Sequence, residues 1–145
     1  MTTREARPGM NLIPFLLFDG SCAEAMRFYH DCLGGDLTVS LVAETPMRDS
    51  SPPEQHNKVA HALLRNASIE LAATDWLHPT RVPTIGNTVA LYLRGASYPE
   101  LREAFDRLAD GAPQDLLDDL REMPFGTYGH LADKFGVHWF FHGQP

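Results

Sequence analysis

Two short segments of this chain, Ser21-Cys-Ala-Glu24 and Ser97-Tyr-Pro-Glu100, carry the same helix-start signal, and each follows an apolar, strand-like stretch. In both, a Ser oxygen and a Glu carboxylate three residues later are placed to satisfy free N–H groups at a helix start. After the first, Ala25, Phe28, Cys32 and Leu33 recur at helical spacing until Gly34-Gly35 ends the run. After the second, Pro99 sits in the first turn, Leu101, Ala104, Phe105 and Leu108 form the stripe, and Gly111 supplies the cap. The stretch before the first helix, 11–18 (NLIPFLLF), contains Pro14, which restricts it to a sheet edge or a bulge. The stretch before the second, 87–94 (NTVALYLR), alternates in polarity. Strands are then expected at 37–42, 59–65 and 68–74 in the first half. The second half should carry a short one near 114–117 and longer ones at about 123–132 and 137–142. The order strand–helix–strand–strand–strand thus occurs twice, an internal duplication that predicts an α+β fold of two βαβββ modules. Each module would be a curved mixed sheet with one covering helix.

Length and composition fit that reading. A chain of 145 residues with 43% hydrophobic and 21% charged residues suits one globular domain. Residues 1–10 are expected to form a loose tail and 11–143 the domain, with module one at about 11–75, a linker at 76–86 and module two at about 87–143. Residues 44–58 (ETPMRDSSPPEQHNK) read as a long polar loop. The formal charge of −7, without a Lys/Arg cluster, argues against nucleic acid and against an anionic membrane as partner. The longest apolar run falls far short of the ~20 residues needed for a spanning helix. Cys22 and Cys32 lie ten residues apart in one predicted helix, ~15 Å by helical rise, too far for a disulfide at ~7 Å. Cysteine usage of this kind suits a cytoplasmic location.

The duplicated order, taken with IPFLLFDGSCAEAMRFYHDCLGG and YGHLADKFGVHWFF, resembles the vicinal-oxygen-chelate superfamily of glyoxalase I, extradiol dioxygenases and fosfomycin- and bleomycin-resistance proteins. Within it the chain is most similar to the PhnB-like branch. The matching residues are Glu24-Ala25, Phe28-Tyr29 and His61-Ala62, then Tyr128-Gly129, Asp133, Phe135-Gly136 and Trp139 near the C-terminus. The resemblance covers about residues 11–142 and implies a glyoxalase-like domain. Metal-dependent members hold a divalent ion with His and Glu side chains from the first, fourth, fifth and eighth strands. Here those positions correspond to Pro14, Glu70, Asn87 and Phe140, of which only Glu70 is a good ligand.

Strand parity supplies the remaining candidates. Ile69 and Leu71 should face a helix, which turns Glu70 to the other face, and His61 falls on that face in the preceding strand. His138, Phe140 and His142 share one face of the last strand, with Trp139 and Phe141 on the other. The candidate catalytic pair is therefore Glu70 and His61. The candidate ligand cavity is lined by Asn87, His138, Phe140, Tyr128 and Phe125. If a metal were held, the trio His61, Glu70 and His138 would hold it. Asp133 is expected to close the Asp-Lys-Phe-Gly turn. Cys22, at a helix N-terminus, is expected to be structural rather than nucleophilic.

The expected function is a small-molecule binder of the glyoxalase or bleomycin-resistance type, without cofactor or metal. The alternatives are a divalent-metal lyase, isomerase or dioxygenase using His61 and Glu70, and an interaction module without catalytic activity. Leu12, Leu16, Val89 and Leu91 are expected on open sheet faces, where their burial predicts a twofold homodimer.

Overall fold

The computed structural model describes residues 4–5, 7–95 and 97–144. The expected tail over residues 1–10 falls in part outside them. The first four-stranded sheet comprises β1 (Phe15–Phe18), β2 (Asp36–Leu41), β3 (Val59–Arg65) and β4 (Glu70–Asp75) in the order β1-β4-β3-β2. The second comprises β5 (Ala90–Arg94), β6 (Leu117–Met123), β7 (Gly126–Ala132) and β8 (His138–Gly143) in the order β5-β8-β7-β6. In each, the first strand pairs parallel with the last and the other pairs are antiparallel. Helix α1 (Cys22–Leu33) follows β1, and α2 (Tyr98–Leu108) follows β5. This is the glyoxalase-like α+β fold that the duplication predicts. The chain divides into two compact units, Met1–Met26 with Gly35–Arg81, and Arg27–Gly34 with Val82–Pro145.

In the first unit the buried Ala62 and Leu64 on β3 lie opposite the buried Ala73 and Leu71 on β4. Asp75 closes this unit through its side chain. Its Oδ1 accepts the Cys22 N–H at the start of α1 (3.0 Å), and Oδ2 accepts the Val59 N–H (2.9 Å). Pro14 precedes β1, which lies at the sheet edge as its missing N–H requires. The 44–58 segment is folded into short 3-10 turns at Pro46–Ser50 and Pro53–Gln55.

In the second unit Leu101, Phe105 and Leu108 of α2 are buried, and the Phe105 ring meets that of Phe141 edge-on at 5.0 Å. The helix lies close because two glycines leave room. A Cβ on Gly143 would come within 2.7 Å of the Leu101 side chain, and one on Gly129 within 3.3 Å of the Phe105 ring. Asp133 is buried and fully engaged. Its Oδ1 accepts the Phe135 and Val137 N–H groups (2.8 and 3.1 Å), and its Oδ2 accepts the Tyr29 hydroxyl (2.7 Å) and the Trp139 indole N–H (2.8 Å).

Several expectations change. The short strand near 114–117 is a 3-10 turn at Gln114–Leu116, and the strand itself is β6, Leu117–Met123. Its apolar residues, Leu117, Leu120 and Met123, fall three apart because a bulge interrupts the register between Asp118 and Arg121, which hides the strand period. The fifth strand begins at Ala90, not residue 87. Leu16 and Leu91 face the buried side, in register with Ala73 and Trp139, while Leu12 and Val89 lie outside the strands and are exposed. Phe15, Leu17 and Tyr92 take the open faces instead. Ser97 occupies the N-cap of α2 without a side-chain hydrogen bond, so the second capping box is not formed.

Replacing Asp133 by Ala leaves the Tyr29 hydroxyl and Trp139 indole without their buried acceptor. We expect a loss of about 3–5 kcal/mol in urea unfolding, and about 1.5–3 kcal/mol for Tyr29→Phe. A loss below about 1 kcal/mol for Asp133→Ala would contradict this assignment.

Candidate ligand-binding face

The second sheet presents one buried and one open face. Trp139 and Phe141 are buried, and His138, Phe140 and His142 point the other way, as parity requires. Cross-strand register then assembles the open face in rows. Ala90, His138 and Ala132 form one row. Tyr92, Phe140, His130 and Asp118 form the next, and Arg94, His142, Tyr128 and Arg121 the third.

The rings of these rows touch. His142 stacks on Tyr92, nearly parallel at 6.3 Å, and contacts Phe125 at 5.8 Å. Phe125 meets Tyr128 at 6.1 Å, Tyr128 meets Phe140 at 6.0 Å, and Phe140 meets His130 at 4.4 Å. His142 is fixed at both nitrogens. Its Nε2–H donates to the Phe125 carbonyl (3.2 Å), so Nδ1 accepts the Tyr92 hydroxyl proton (3.1 Å). Arg94 and Arg121 flank this row without an ion-pair partner among the described residues. The His138 pKa is held below the ordinary imidazole value, chiefly by burial and then by the neighbouring His130, against the opposing charge of Asp133. The result is an aromatic floor whose His142–Tyr128 row is flanked by two arginines.

The structure thus brings together four of the expected cavity residues: His138, Phe140, Tyr128 and Phe125. Asn87 lies in an exposed bend ahead of β5. Tyr92, His130 and His142 complete the face; strand parity already groups His142 with His138 and Phe140, whereas Tyr92 and His130 are not among the sequence candidates. Tyr92 was legible, since Leu91 and Leu93 on either side mark it as opposite in facing. His130 needed the β7–β8 register, which no local pattern supplies.

The first sheet is different. Glu70 lies directly opposite Arg65 and forms an ion pair with it at 2.8 Å. His61 stacks with Phe15 at 6.4 Å. It shares a face with Glu70, but the register places it one residue beyond the Ala62–Ala73 pair, four residues along β3 from the partner of Glu70. That is about 13 Å along the strand, so the expected reach between the two is not available. Among the described residues no three His, Cys, Asp or Glu side chains are grouped to hold a metal ion. The inherited donor positions do not fit a divalent ion: Phe140 offers a packed ring, and Glu70 is neutralised by Arg65.

The chain belongs to a family whose model is described as 3-demethylubiquinone-9 3-methyltransferase and matches residues 10–141. With its fold, this makes it a PhnB-like member of the vicinal-oxygen-chelate superfamily. It is 27% identical over 139 residues to Protein YjdN of Escherichia coli K12, covering 90% of this chain and 92% of that one. Among solved structures, protein PA1353 of Pseudomonas aeruginosa is similar at a TM-score of 0.81 and 28% identity, covering 94% of this chain and 98% of that one. A PhnB protein of Bacillus cereus, described as a putative 3-demethylubiquinone-9 3-methyltransferase, is similar at 0.68 and 27%, covering 92% and 99%. A glyoxalase-related enzyme of Fulvimarina pelagi, at a TM-score of 0.59 and 17% identity over 94% and 90%, shares the fold. Among the described residues no helix is long and apolar enough to cross a membrane.

The cysteines are free, and their surroundings suppress the thiolate. Burial, then the Asp75 charge, pushes the Cys22 thiol up to about 12, overriding its helix-start position. Burial is also the largest cause that raises Cys32 to about 11. At pH 8 the thiolate fraction of Cys32 should be about a hundredfold below that of an unperturbed thiol. Labelling with a disulfide reagent should therefore be slow at both, and rapid modification of Cys22 in the folded protein would refute the assignment.

Proposed function

We propose that the protein binds a small planar anion on the open face of its second sheet, and that no metal takes part in holding it. The observation that carries this reading is the continuous ring layer Tyr92–His142–Phe125–Tyr128–Phe140–His130, with Arg94 and Arg121 flanking its His142–Tyr128 row. Stacking against such rings is tolerant of the exact ligand and contributes about 1–3 kcal/mol per flat ring. An exposed guanidinium adds recognition of a carboxylate or sulfonate. The poor donor set at the inherited metal positions supports a metal-independent mode. The methyl transfer named in the family description is not carried over, because activity follows from the site and not from the fold.

The planar anion 8-anilinonaphthalene-1-sulfonate is a suitable probe. We expect saturable fluorescence enhancement with one site per chain, unchanged by EDTA. Phe140→Ala should weaken binding about tenfold or more, since each 1.4 kcal/mol is a factor of ten. Equal affinity in Phe140→Ala, or loss of binding on chelation, would overturn the proposal.

A further inference from the structure

At the end of the aromatic face nearest His138, three titratable side chains form a line that simple stacking does not use. Asp118 on β6 pairs across the sheet with His130 on β7, and His138 on β8 lies diagonally beyond. The Asp118 carboxylate is 3.6 Å from His130 Nδ1, and His130 Nε2 is 2.9 Å from His138 Nδ1. A single proton must lie in that 2.9 Å contact. The carboxylate favours a proton on His130 Nδ1, which leaves Nε2 as an acceptor. His138 then donates its Nδ1–H, and its Nε2 carries a lone pair with no protein partner among the described residues. Asp133, in the turn before β8, is the other charged group acting on His138; Ala90, its neighbour on β5, is apolar.

We propose that His138 Nε2 accepts a proton from an acidic O–H, a phenol or an enol, of the molecule bound on this face. His130 and Asp118 act as positioning residues. The inference rests on the aromatic face as binding surface and adds the chemistry at one end of it. On transfer the O–H bond breaks, the N–H bond forms at His138 Nε2, and the electron pair stays on the ligand oxygen. The Nδ1 proton of His138 can then pass to His130 Nε2, which places the positive charge beside Asp118. The stabilised species is a planar oxyanion.

Two measurements on the full chain test this. Two-bond proton–nitrogen NMR should find His130 and His138 both in the Nδ1–H form at pH 7.5. Asp118→Ala, a change at an exposed side chain, should convert both to the Nε2–H form. An Nε2–H tautomer of His138 in the unaltered protein, or no response to Asp118→Ala, would overturn the relay. The second compares 2-naphthol with 2-methoxynaphthalene. The naphthol should bind at least tenfold tighter, and its apparent pKa when bound should fall by about 1–3 units, as a neighbouring cation produces. His138→Asn should abolish both effects. If anilinonaphthalenesulfonate binds but the naphthol gains no advantage, the proton acceptor is refuted and the binding face stands. If neither probe binds, both readings fail.

Discussion

The buried carboxylate of Asp133 decides which way the last strand faces. It ties the turn ahead of β8 through the Phe135 and Val137 N–H groups and receives the Trp139 indole and Tyr29 hydroxyl from the covered side. Because strand side chains alternate, a slip of one residue would turn Trp139 outward and His138, Phe140 and His142 inward. Four charge-assisted hydrogen bonds to one carboxylate make that slip costly. The first unit uses the same device in a simpler form, with Asp75 accepting the Cys22 and Val59 N–H groups. The carboxylates are structural, and their work is to hold the strands in register.

Much of the fold was legible because it repeats. The two helix-start segments, the glycine stops and the alternation in 137–142 each specify one element, and their recurrence specifies the topology. What escaped was what depends on partners distant in sequence. Strand β6 is charged and bulged, so its period is broken where it leaves the register between Asp118 and Arg121. Leu16 and Leu91 were assigned to the wrong face because parity within a strand says nothing until a neighbour fixes its phase; Ala73 and Trp139 do so here. The turn role of Asp133 was visible in Asp-Lys-Phe-Gly, but its bonds to Tyr29 and Trp139 were not.

The two sheets share a topology and differ in what they display. The open face of the first carries Phe15 and Leu17 beside His61 and an Arg65–Glu70 pair, a surface with its charges already matched. That of the second carries a ring layer and two arginines without an ion-pair partner among the described residues. The positions that the family resemblance implies for metal donors would fall at Pro14, Asn87 and Phe140 beside Glu70. Phe140 instead joins the ring layer, contacting His130 and Tyr128.

We propose that ligand meets the face set outward by the Asp133–Trp139 bond. Intermolecular nuclear Overhauser effects from the aromatic protons of bound anilinonaphthalenesulfonate test it most directly. Binding there should give cross-peaks to the ring protons of Tyr92, Tyr128 and Phe140. Cross-peaks to Phe15 and the Leu17 methyls, without any to Phe140, would contradict it.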